Sequence, residues 1–156
     1  MSIRRTLVHA LLCATLLPVA VRAAPLPDAI VGDWSTKEEK SVLRIERDGA
    51  TFTAAIQRLK VPDGPSGTPK LDHMNPDSSL RTRPVKGLVI LRDLRYDGDG
   101  IWSGGRIYDP ESGNTYRCKV ELEGPDRLRV RGFIGIALVG RTEIWRRAGK
   151  GAGISP

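Results

Sequence analysis

A chain of 156 residues with two cysteines and two histidines has the size of a single domain and too few soft ligands for a Cys/His zinc cluster. Its formal charge of +7 comes from basic residues spread along the sequence rather than gathered in a run, which argues against a nucleic-acid footprint.

The first segment addresses the compartment. Arg4 and Arg5 precede an almost uncharged apolar stretch over 7–21, and Val21-Arg22-Ala23 offers a small-residue cleavage site before Ala24. This is the pattern of a secretory signal cut near Ala23. A membrane-spanning anchor fits less well, because Pro18 interrupts the run and a span needs about 20 apolar residues. Cleavage removes three arginines and no acid, so the charge falls from +7 to +4. It also leaves Cys118 as the single thiol and His73 as the single histidine, with no intramolecular disulfide possible. No second long apolar run follows, so stable membrane insertion is not expected. A domain over 24–148 and a frayed tail over 149–156 are predicted.

Within that domain the pattern is alternation broken by turn residues, the mark of half-buried strands. A short strand is expected over 32–36. The next runs over 42–47 with Leu43 and Ile45 inward, and Asp48-Gly49 offers a hairpin turn into a strand over 51–59. From 60 to 86, five prolines and two glycines interrupt the pattern, and a loop of that length is usually functional or disordered. Strands are then expected over 88–94 and 101–108, joined by a turn at 97–100. Asp109 opens the turn at 109–113. The clearest strand covers 116–122, with Tyr116, Cys118, Val120 and Leu122 on one face. After a turn at 123–126, residues 127–132 repeat the pattern with Leu128 and Val130 inward, and 142–147 closes the domain. About eight strands predict an all-β fold, a single small antiparallel β-barrel wide enough for side chains or one small ligand. A β-sandwich is the structural rival.

Several ordered motifs carry a resemblance. They are Asp72-x-x-Asn75-Pro76-Asp77, Leu80-Arg81-x-Arg83-Pro84, Trp102-x-x-Gly105-x-Ile107-Tyr108-Asp109-Pro110, Gly113-x-x-Tyr116-x-Cys118 and Gly140-Arg141-Thr142-x-x-Trp145. In this order they resemble the exported bacterial family catalogued as domain of unknown function 2147. The resemblance implies a lipocalin-like (calycin) barrel and no established activity. Gly32-Asp33-Trp34 also resembles the Gly-x-Trp of lipocalins. It implies structural roles for Trp34 and for a basic residue near the chain's end, Arg141 or Arg146, packed over the indole.

Candidate site residues follow. Arg81 and Arg83 are spaced to point the same way if extended and to grip a carboxylate or phosphate. The plainer alternative is a bridge to Asp72 or Asp77 that braces the loop. Trp102 and Tyr116 are expected inside the barrel, as core or as the wall of a ligand site. Asp72, Asn75 and Asp77, like Asp97 and Asp99, are better read as turn builders than as calcium ligands. Asp72, Asn75, Asp109 and Trp145 are assigned structural roles. No catalytic residue, metal or cofactor is assigned: a histidine-dependent mechanism has only His73, and Cys118 lies on an apolar face. Three functions remain, in order. The first is binding of a small apolar or amphiphilic molecule. The second is an envelope interaction module with a filled core. The third is an enzyme using loop carboxylates with Arg81 or Arg83.

Overall fold

The computed structural model describes residues 24–62, 64, 67–135 and 140–149. The segment over 1–23 expected to be a secretory signal, Cys13 within it, and the tail beyond Gly149 lie outside these residues. The alternating segments form eight antiparallel strands: β1 Gly32–Ser35, β2 Ser41–Asp48, β3 Thr51–Leu59, β4 Val89–Gly98, β5 Ile101–Asp109, β6 Asn114–Leu122, β7 Arg127–Phe133 and β8 Gly140–Arg147. Each pairs with the next, and β1 pairs with β8, so the sheet is a closed barrel. Closure leaves no sheet edge to be shielded. The all-β barrel expected from the sequence is the fold.

Inward residues alternate as the pleat demands. Leu43, Ile45, Phe52, Ala54, Ile56, Leu91, Leu94, Cys118, Val120, Leu128 and Val130 are buried in one core. β4 and β5 are longer and less regular than simple alternation suggests. Register shifts there, in the β3–β4 and β5–β6 pairings, accompany positive φ at Asp93 (60°) and Gly104 (73°), the signature of bulges that bend a strand.

The two ends of the barrel differ. At one end the tight β2–β3, β4–β5 and β6–β7 turns meet a 3-10 turn, Pro27–Ile30, that lies across the opening. Trp102 donates its indole N–H to the Pro27 carbonyl at 3.2 Å and packs on Tyr96 with ring centroids 5.0 Å apart. The Tyr96 hydroxyl donates to the Pro25 carbonyl, and Arg47 bridges Asp28 at 2.6 Å. This end is closed.

The seam between β1 and β8 is held by Trp34 and one arginine. Trp34 is fully buried and donates its indole N–H to the Ile30 carbonyl at 2.7 Å. The Arg147 guanidinium lies 4.2 Å from the Trp34 ring centroid. It also donates to the carbonyls of Ala29, Val31 and Pro125. The basic residue over the indole is therefore Arg147, and the assignment to Arg141 or Arg146 is corrected. The register explains it: Trp34 stands opposite Arg147, whereas Arg146 stands opposite Ser35 and faces out. Gly32 belongs to the same device. Its φ is +126°, and a Cβ there would sit 3.1 Å from the Arg147 Nη1. Only glycine leaves the guanidinium its place without strain.

Replacing Arg147 by Ala removes a cation–π contact and three carbonyl partners. The expected loss is about 2–3 kcal/mol of unfolding free energy, read by urea denaturation. Arg147→Lys, which keeps the charge but cannot span three carbonyls, recovers only part of it.

Candidate functional site: the open-end cavity

At the other end the connections are longer and no segment crosses the opening among the described residues. A cavity of about 590 Å³ enters there, within the range of small-molecule sites. Leu43, Ile56, Ile90, Ile107 and Val130 form its apolar wall, and Val85 reaches it from the β3–β4 loop. Tyr116 and Ile107 are on the inward faces of their strands yet are only half-buried. They face the cavity rather than a filled core.

Space exists here because of β7 and β8. Gly132 of β7 faces inward, and a Cβ added there would meet only Tyr116 and Ile107, at 3.5 Å and 3.6 Å. Opposite Gly132, Val130 and Leu128 stand Arg141, Glu143 and Trp145 of β8. The inner face of β8 is thus polar towards the mouth and aromatic at the floor. Glu143 pairs with Arg141 at 3.4 Å. Trp145 is 2% exposed, and its indole N–H has no hydrogen-bond partner among the described residues. An unpaired buried donor costs on the order of 1–3 kcal/mol. Lys40, Lys60 and Lys70 stand at the rim.

The β3–β4 loop is fastened beside the mouth. Asp72 is fully buried, accepting from the Tyr108 hydroxyl at 2.5 Å, Asn75 Nδ2 at 2.8 Å and Arg83 Nε at 2.9 Å. Burial works to raise its pKa, but these three donors hold it below the usual 3.8. Burial and the Asp72 carboxylate together push the Tyr108 phenol above 10.0. The loop is further ordered by the Leu71–Pro84 bridge and a 3-10 turn, Ser78–Leu80, with the Asp77 side chain accepting from the Ser79 N–H. The Met74 carbonyl packs on the β5–β6 turn at Gly113, whose φ is +72° and where a Cβ would lie 2.0 Å away.

The residues singled out in the sequence fall in different places. Tyr116 lines the cavity, and Trp145, part of the buried core, forms its floor. Trp102 belongs to the closed end and does not line it. Arg81 and Arg83 are turned to the loop: Arg81 Nε donates to the Asn75 carbonyl at 2.7 Å and Arg83 bridges Asp72 at 2.8 Å. Neither appears in the cavity wall, so the ligand-gripping role gives way to the bracing alternative. Asp109 caps the β5–β6 turn, accepting from the Glu111 N–H and the Ser112 hydroxyl. Arg141 is at the rim. Glu143 was not singled out by sequence, because a charged residue in an alternating strand is normally assigned to the outer face. His73 is exposed while Cys118 is buried, so they form no pair.

A second depression, also of about 590 Å³, lies on the outer surface by β8 and a 3-10 turn, Lys37–Glu39. Charged side chains, among them Glu38, Arg58 and Arg146, dominate it. No helix among the described residues is long and apolar enough to cross a membrane.

The sequence profile of DUF2147, described as an uncharacterized protein conserved in bacteria, matches residues 32–147. Among solved structures the Helicobacter pylori protein HP1028, described as belonging to the lipocalin family, is 26% identical. It superposes with a TM-score of 0.69 over 82% of this chain and 86% of its own. No curated protein matches.

Two outcomes are expected. The lowered Asp72 pKa contributes stability that is fully present above 3.8 and is lost as pH falls through the depressed folded value. Urea denaturation across that acid range will show a steeper fall for the native chain than for Asp72→Asn; equal slopes would show that the latch carries no proton linkage. Burial pushes the Cys118 thiol up to about 12. Iodoacetamide will therefore label it slowly in the folded protein and fast in urea.

Proposed function

This chain belongs to the DUF2147 family, and on that premise we propose that it binds one small apolar or amphiphilic molecule in the open end of its barrel. The observation that carries the reading is the cavity itself. A barrel of eight strands has a cross-section that side chains can fill, and in this one the closed half is filled by Trp34, Trp102 and Phe52. The open half is not, because Gly132 replaces a side chain and β8 turns Glu143 inward.

The lining suits such a ligand. Aliphatic walls remove hydrocarbon from water at about 25 cal/mol per Å². The Glu143 carboxylate adds an acceptor for a polar group. The likeness to HP1028 supports the reading through its lipocalin description. The apolar start of the sequence supports an exported protein, cut near Ala23 and working in the periplasm or outside the cell. Cell fractionation with N-terminal sequencing of the recovered chain tests that location; a chain retained in the cytoplasm with residues 1–23 intact would refute it.

Titration with the apolar dye Nile red tests the binding. One dye per chain is expected, with quenching of Trp145 emission. Gly132→Leu, which places a side chain in the cavity at a position without positive φ, is expected to weaken binding by about tenfold or more, equivalent to about 1.4 kcal/mol. Unchanged affinity in a folded Gly132→Leu variant would place the dye elsewhere and remove the main support for the proposal.

A further inference from the structure

We propose that one side of the open end docks on an anionic phospholipid surface. The strand register brings the charges together. Arg92 of β4 stands opposite Arg106 of β5, and Arg106 stands opposite Arg117 of β6. Three exposed guanidinium groups thus form one row across the outer wall, with strands about 5 Å apart, and none makes an ion pair among the described residues. The basic residues that look scattered in the sequence are clustered in the fold. Like charges directly opposite one another destabilise a sheet, so nothing internal accounts for the row. The exposed Asp93 beside Arg92 supplies one opposing charge against three.

The row lies outside the cavity wall. Arg106 and Arg117 adjoin Ile107 and Tyr116, which line the cavity from the same two strands. Above it the chain exposes apolar tips. Met74, held against the β5–β6 turn at Gly113, is 57% exposed. Val61 and Ile134, each 68% exposed, stand at the cavity mouth.

Apolar tips beside cations match a bilayer interface. The tips enter the headgroup–acyl boundary while basic residues meet lipid phosphates. Arginine suits phosphate through its paired N–H donors. A single-stranded nucleic acid fits less well, because Phe133, in register with Arg117, stands at the end of the row and no ring lies between its arginines for successive bases to stack on. A duplex fits less well too, since the convex wall offers no helix or ribbon for a groove. Docking in this orientation sets the cavity mouth against the bilayer. The proposal does not depend on the cavity holding a ligand.

Vesicle flotation with the folded chain tests it. The probes are phosphatidylcholine alone and phosphatidylcholine mixed with phosphatidylglycerol. Binding is expected only to the mixed vesicles and is expected to fall as salt rises. The triple variant Arg92→Gln, Arg106→Gln, Arg117→Gln is expected to lose about fivefold in affinity per charge removed. Met74→Ser with Ile134→Ser is expected to weaken binding further. The far-UV circular dichroism spectrum should stay unchanged in the arginine variant, which reports folding whether or not the cavity binds Nile red. Three results would each overturn the proposal: equal binding to neutral vesicles, no vesicle binding (with or without retention by heparin), or undiminished binding by the triple variant.

Discussion

The barrel depends on one arginine reaching across its seam. Seven of the eight strand pairings join neighbours in the chain; the eighth joins the first strand to the last. That seam is short, with two residue pairs in register. Arg147 reinforces it by covering Trp34 and holding carbonyls from both the segment before β1 and the β6–β7 turn. A guanidinium suits this task because its five donors are fixed in a plane and it stacks on an aromatic face. Gly32 gives it room. Trp34 and Arg147 thus unite the sheet with the 3-10 turn that shuts one end.

Closure of one end by chain, rather than by large side chains throughout, decides where empty space remains. Trp34, Trp102 and Phe52 crowd the closed half. In the other half the strands carry Gly132, Tyr116 and Glu143 inward, and the long β3–β4 loop is tied back beside the mouth. Its fastening is a buried carboxylate with three donors, which is tolerable only because every donor is present. Tyr108 belongs to that fastening and to the cavity mouth together. The loop's position and the shape of the entrance are therefore one structural fact.

Much of this was legible in the sequence, for a definite reason. A strand with one wet and one dry face writes its orientation in alternate residues. Residues 116–122 and 127–132 did so clearly, and the turns between strands carried Asp, Gly and Pro. β8 was harder. Its Ile144 faces out opposite Arg129, while Arg141 and Glu143 face in. A strand lining a cavity has lost the apolar demand that makes its phase readable. That same loss hid Glu143 and misdirected the choice of arginine over Trp34. Arg83 was legible as a partner for Asp72, since both sit in one loop. Tyr108 was not, because its contact depends on how that loop returns to β5. The arginine row was invisible in the linear sequence, since only the pairing of β4, β5 and β6 brings its members side by side.

The seam also imposes an order of events on biosynthesis. Each hairpin joins segments that leave the ribosome in succession, so local pairing can begin early. β1 has no partner on its outer side until β8 exists, and Arg147 is the last residue of β8. The nascent chain therefore remains an open ribbon, unable to lock, until synthesis has passed that point. Contacts so distant in sequence form slowly, so closing the seam follows the local hairpins.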